Sequence, residues 1–159
     1  MRDDYLHISF HKLDLSISKS AYDLWLKYRQ INQHDIEACG VLIGTKDSVS
    51  NHYWIESVTV PMSKDIRRRY SFIMKDPKHQ QTVDRAYIDS NGTSVYLGTW
   101  HSHPQAVPVP SPIDYEDWKS CLKRNPDRNL FFIIIGLEQI RIVIHMNGKF
   151  IDRSLLITN

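Results

Sequence analysis

This sequence predicts a mixed α/β (α+β) fold, a β-sheet scaffold flanked by helices, on three observations. Residues 18–34 carry apolar side chains at helical spacing, with Ala21, Leu24, Trp25, Tyr28 and Ile31 on one face. "IEACGVLIG" and "LFFIIIGL" are short apolar runs of strand length. The last third, "NLFFIIIGLEQIRIVIHMNGKFIDRSLLI", reads as strand-rich, and its Asn147-Gly148 pair suits a type I′ hairpin turn.

In chain order, the first helix covers 18–34 and "IEACGVLIG" follows as a mostly buried strand. "HYWIESVTV" alternates roughly, as a strand with one buried face does. A second helix opens after Asp76, with Pro77 at its first position, and runs to about Ser90; Gly92 lies just past its end. "SVYLGTWHSH" is the next strand, stopped by Pro104. Ser111 suits an N-cap, Pro112 the first helical position and Asp114 the N3 position of a short helix through Cys121.

The 159 residues allow one domain, 1–159, with a hydrophobic core, and no repeat, low-complexity tract or linker divides them. A formal charge of +2 gives no electrostatic case for direct nucleic-acid or membrane binding. No apolar run reaches the length of a membrane span, and "MRDDYLHISF" has no apolar secretory core. Cys39 and Cys121 have no CxxC or disulfide-framework spacing, which points to a reduced, cytoplasmic protein. There is no HExxH, no phosphate-binding GxxxxGK[ST] and no PCxxC. Trp54, Trp100 and Trp118 read as core or pocket-lining residues.

The chemistry concentrates in "GTWHSHPQAVPVPSPIDYEDW". Side chains alternate along a strand, so His101 and His103 share a face and can pinch one cation. Asp114 offers a third ligand, and the prolines between restrict the loop that returns it to the strand end. Ser111 and Asp114 also read as a simple helix cap, and Glu37 as a strand-end carboxylate. The combination is harder to dismiss. Five specified residues at fixed offsets, each at roughly one in 20, match by chance about three times in ten million starts.

His101-Ser-His103-Pro, with seven residues between His103 and Ser111 and then Asp114 three further on, resembles the JAMM signature of the MPN+ (JAB-domain) metalloproteases. That signature expects an upstream glutamate on an early strand, which "EACGVLIG" supplies as Glu37. The resemblance covers roughly 35–150. It implies an MPN/JAB-type domain of cytidine-deaminase-like architecture and a JAMM zinc metalloprotease activity. It further implies one Zn2+ per chain held by His101, His103 and Asp114, with Glu37 as general acid/base and Ser111 stabilising the tetrahedral intermediate. Bound zinc lowers the pKa of water from about 15.7 to near 7.

The context "RRRYSFIMKDPKHQQTVDRAYIDSNGTSVYLGTWHSHP" is similar to bacterial JAB peptidases of cyclic-oligonucleotide antiphage (CBASS) operons. These reverse a ubiquitin-like conjugation, cutting after the C-terminus of a cGAS-like nucleotidyltransferase that a fused E1–E2-like enzyme has attached. Two other readings remain beside it: a peptidase for a ubiquitin-like sulfur-carrier precursor, and a non-catalytic MPN scaffold. The segment "PMSKDIRRRYSFIMKDP" is the expected wall of a channel for an extended tail, bound by strand addition. There Arg67, Arg68 and Arg69 are either substrate contacts for acidic groups or a solvated basic face. "LKRNPDRNLFF" is short where ubiquitin-specific relatives carry an insertion, which argues against their linkage selectivity.

Overall fold

An eight-stranded mixed sheet forms the frame in the computed structural model, which describes Arg2 and residues 4–158. The elements are β1 (Tyr5–Phe10), β2 (Leu13–Ser18), α1 (Lys19–Lys27), β3 (Cys39–Asp47), β4 (His52–Val58), β5 (Ile66–Arg67) and β6 (Phe72–Ile73). They continue with α2 (Lys78–Asp89), β7 (Val95–Ser102), α3 (Pro112–Arg124), β8 (Phe131–Ile135), β9 (Gln139–Met146) and β10 (Lys149–Leu156). The sheet order is β1-β2-β4-β3-β7-β8-β9-β10, and β5 and β6 pair separately as a small hairpin. The pairs β2/β4 and β7/β8 are parallel; the other neighbours run antiparallel.

Alternation along the strands divides the core between two faces. Ala21 and Trp25 of α1 pack with Leu42, Leu97 and Trp100 on one face. On the other, Val83 of α2 meets Val41 and Ile43, while Trp118 and Cys121 of α3 meet Phe132, Ile134 and Val143. With both faces covered, β8 is buried at every residue, which explains an apolar run without alternation. At the far end, Asn147 and Gly148 have φ of 50° and 77°, the two positive values a type I′ turn requires. Among the described residues, no helix is long and apolar enough to cross a membrane.

One irregularity sets the phase of β7. The β3/β7 register shifts between Leu42 and Ile43, opposite Gly98, whose φ is 128°. A Cβ at Gly98 would stand 1.8 Å from the Phe131 carbonyl oxygen, so only glycine fits this bulge. Beyond it Trp100 and Ser102 face α1, and Thr99, His101 and His103 face α2 and α3.

Several expectations need correction, among them Pro77, which is the N-cap of α2 and not its first helical residue. The first helix ends at Lys27, not near His34, and Ile31, expected on its apolar face, is 65% exposed. There Asn32 N–H donates to the Asp35 carboxylate (2.9 Å) and Asp35 N–H to Asn32 O (3.0 Å), a local turn that competes with helix. Glu37 lies two residues ahead of β3, outside regular strand. The last helix runs past Cys121 to Arg124, with Asn125 as its C-cap. The β1/β2 hairpin leaves little trace in the sequence: β1 buries only Ile8 and Phe10, too faint an alternation to stand out. Trp100 and Trp118 are core residues, whereas Trp54 lies against His52 on a more open sheet face.

Candidate metal centre and groove

β7 delivers His101 from its penultimate position, and His103 follows just past its end, where His103 N–H donates to Ile135 O of parallel neighbour β8 (3.0 Å). The start of α3 delivers Asp114. Ser111 Oγ accepts from Asp114 N–H (3.1 Å), and Asp114 Oδ2 accepts from Ser111 N–H (2.8 Å), a reciprocal capping box with Pro112 inside it. The cap therefore aims the carboxylate. Asp114 Oδ1 lies 3.2 Å from His101 Nε2, Asp114 Oδ2 lies 3.2 Å from His103 Nε2, and the two Nε2 atoms are 3.0 Å apart. All three residues are buried. Glu37 Oε1 is 3.9 Å from His103 Nε2, and Ser111 lines the same groove.

The electrostatics follow from burying these groups together. Burial lowers the His101 pKa despite the Asp114 carboxylate. For His103, burial also pulls down, but Asp114 and Glu37 outweigh it and the pKa is raised. Burial pushes Asp114 up, yet hydrogen bonds from His101 and His103 and from Ser111 N–H hold it well below the usual carboxylate range. Glu37 is pushed up to about 7, mainly by burial, with His103 opposing and Asp114 reinforcing.

The donor set fits a divalent metal ion. Gln105 Oε1 accepts from Val109 N–H (2.9 Å), which fixes it as the acceptor of that amide. It lies 3.2 Å from His103 Nδ1, so Nδ1 keeps a proton and Nε2 is the nitrogen whose proton, now shared with Asp114, would give way to a metal ion. Two imidazole nitrogens and a carboxylate oxygen thus converge where a cation relieves their mutual repulsion. Neither cysteine belongs to this cluster.

A groove of about 1030 Å3 opens on the cluster, running over Val41 and Thr99 between the β5/β6 segment with α2 and the Pro104–Pro110 loop with α3. Phe72 of the small hairpin lies over His101, ring centroids 5.1 Å apart, and limits water on that side. The fold brings Glu37, His101, His103, Ser111 and Asp114 to this one groove. A profile described as "Prokaryotic homologs of the JAB domain" matches residues 26–145. The chain belongs to the JAB family.

Three relatives of this JAB protein each bear the name "CD-NTase/cGAS isopeptidase". One from Vibrio cholerae is 35% identical over 111 residues, 70% of this chain and 69% of the relative. One from Escherichia coli is 40% identical over 113 residues, covering 71% and 70%. A third, from Pseudomonas aeruginosa, is 33% identical over 129 residues, 80% of each chain. This JAB protein is a hydrolase of the JAMM type.

The arginine run sits beside the groove, with its side chains turned to the protein itself. Arg67 Nε donates to Glu37 O (2.6 Å), and Arg69 Nη1 donates to Asn32 O (3.1 Å) and Asp35 O (3.3 Å), while Arg68 is exposed. Sequence reasoning missed Gln105, Gln30, Ser102 and Phe72. Only Gln105 left a trace, two residues beyond His103 in a loop otherwise of apolar residues and proline.

Proposed function

We propose that this protein is a zinc-dependent isopeptidase, one domain over 1–159. It would hydrolyse the bond after the C-terminus of a conjugated, cGAS-like nucleotidyltransferase and so reverse its conjugation in cytoplasmic antiphage defence. The observation that carries this reading is the shared isopeptidase name of three relatives aligned over 70–80% of this chain, together with the convergent His101/His103/Asp114 donors. The fused E1–E2-like enzyme is the source of the conjugate.

His101, His103 and Asp114 are the residues that would hold the zinc, the number of protein ligands usual for a catalytic zinc site. When bound, the ion supplies Lewis acidity, easing deprotonation of water and polarising a carbonyl. Glu37 is the proton carrier. Its carboxylate takes a proton as water attacks the scissile carbonyl and returns it to the leaving lysine amine, completing hydrolysis. An elevated pKa suits that double duty, because the carboxyl must bind the proton and then release it. Ser111 Oγ already accepts Asp114 N–H, so its own proton remains available to the carbonyl oxygen as negative charge develops. The groove takes the tail in extended form, with β6 offering a strand edge and Arg68 open to acidic groups of the partner.

The test is cleavage of a nucleotidyltransferase fused at its C-terminus to a fluorescent protein, with metal content measured in parallel. Wild type is expected to carry one zinc and cut at the junction; Glu37→Ala keeps the zinc and loses the cut. An active Glu37→Ala enzyme overturns the mechanism. Cleavage of a sulfur-carrier precursor alone selects the biosynthetic reading, and a metal-free chain that still binds its partners selects the scaffold.

A further inference from the structure

We propose that Arg67 is a positioning residue for Glu37, acting through the Glu37 backbone, and is not a substrate contact. The proposal rests on the role given to Glu37 above. Glu37 precedes β3, so no strand ladder holds it in place. Its peptide groups are fixed individually instead. Glu37 N–H donates to Arg68 O (2.7 Å), and Glu37 O accepts from Arg67 Nε–H (2.6 Å). Ala38 N–H donates to Ser102 Oγ (2.8 Å), and Ala38 O accepts from Ser102 N–H (3.0 Å).

Each backbone donor and acceptor of these two residues is thus matched, and one of the four bonds is charge-assisted, the stronger kind. Ser102 lies between the two histidines on the opposite strand face, so the strand that carries the ligands also holds the peptide that carries the base. A third side chain closes the frame. Gln30 is 1% exposed; its Nε2 donates to Arg69 O (2.9 Å) and Asp35 O (3.2 Å), and its Oε1 accepts from Ser102 Oγ (2.9 Å). The arginine-bearing hairpin and the end of β7 are joined under Glu37 by one amide.

The consequence is geometric. With its backbone pinned on both sides, the Glu37 carboxyl can wander only by side-chain rotation, and a proton carrier works only within hydrogen-bond reach. Displacement by 1 Å costs on the order of a hundredfold in rate. Loss of the Arg67 bond is therefore expected to appear in kcat. A substrate contact contributing equally to ground and transition states would appear in KM.

The experiment compares wild type, Arg67→Ala, Arg67→Lys and Gln30→Ala in the fusion-cleavage assay, with zinc content, and follows backbone hydrogen exchange at Glu37. Arg67→Ala is expected to lower kcat by roughly tenfold to a hundredfold, with KM and zinc unchanged and exchange of the Glu37 amide faster. Arg67→Lys recovers part of kcat, since an ammonium can donate to the same carbonyl. A raised KM with kcat retained overturns the proposal and makes Arg67 a substrate contact. The exchange measurement needs no substrate: if wild type cuts nothing, the isopeptidase reading fails, while unchanged Glu37 exchange in Arg67→Ala sinks the positioning role separately.

Discussion

Gln105 Oε1, 3.2 Å from His103 Nδ1, decides which nitrogen of that imidazole is left to face Asp114. The Val109 N–H holds the amide in this orientation, so the arrangement does not depend on the metal being present. Replacing Gln105 by Ala removes the acceptor and frees the ring to rotate or change tautomer. Metal affinity is expected to fall by about ten- to a hundredfold, read by competition with a chromogenic chelator; unchanged affinity would refute the orienting role.

His101→Ala and Asp114→Ala each remove a proposed ligand and are expected to leave the protein without stoichiometric metal. They should differ in stability. Asp114→Ala also removes one half of the capping box of α3, the carboxylate that accepts from Ser111 N–H, while Ser111 Oγ keeps its bond from the residue-114 amide. The loss at the helix start is about 1 kcal/mol or less. Asp114→Ala should therefore melt below Asp114→Asn, whose side-chain oxygen can still accept from Ser111 N–H; equal melting temperatures would show that this half of the cap contributes nothing.

Asp65 anchors the loop that carries the small hairpin. Its carboxylate accepts from Met62 N–H (2.9 Å), Lys75 N–H (2.9 Å), Asp76 N–H (3.0 Å) and His79 Nε2–H (2.7 Å). Burial pushes its pKa up, but the bonds from His79 and from the Asp76 and Met62 amides hold it below the ordinary value. A carboxyl depressed in the folded state adds stability above its unfolded pKa of about 3.9, and that stability is lost as pH falls through the folded pKa. Asp65→Ala should therefore destabilise by at least about 2 kcal/mol near neutral pH, since buried donors lose their acceptor. The difference from wild type should shrink at strongly acidic pH; a pH-independent difference would exclude the linkage.

The two thiols should be silent in the folded protein. Burial pushes Cys39 up to about 12, with Asp65 adding to it, and raises Cys121 as well. Thiolate is the reactive form, so a disulfide reagent at pH 8 should titrate neither cysteine in native protein and both in denaturant. Removing the metal with a chelator should leave that count unchanged. A thiol that becomes reactive on metal loss would place a cysteine at the centre.

Gly98→Ala tests the bulge. The new Cβ meets the Phe131 carbonyl, and a φ of 128° is strained for any other residue, so the melting temperature should fall by roughly 6 °C or more. Retention of wild-type stability would mean the β7/β8 spacing can relax.

Much of this was readable in the chain, for physical reasons that differ by residue. His101 and His103 share a face because strand periodicity is two, and a bulge upstream does not alter their relation. Ser111, Pro112 and Asp114 announce a helix start through local hydrogen bonds that need no distant partner. Glu37 was identified only through its pairing with the downstream motif; nothing local distinguishes it from a solvated carboxylate. Gln30 leaves no sign in the sequence and Arg67 stays open between two readings, because their partners are backbone carbonyls and a hydroxyl far along the chain. A carbonyl has no side-chain identity, so no residue pattern records that it will be an acceptor. The same logic explains the first helix: its apolar spacing continues to Ile31, while the competing turn depends on Asn32 and Asp35.

The bond between Ala38 and Ser102 spans 64 positions of the chain. At translation rates of 5–20 residues per second, Glu37 is made roughly three to thirteen seconds before the strand that completes its surroundings. The peptide that carries Glu37 is therefore fixed only once the β7 strand has been made and paired with β3.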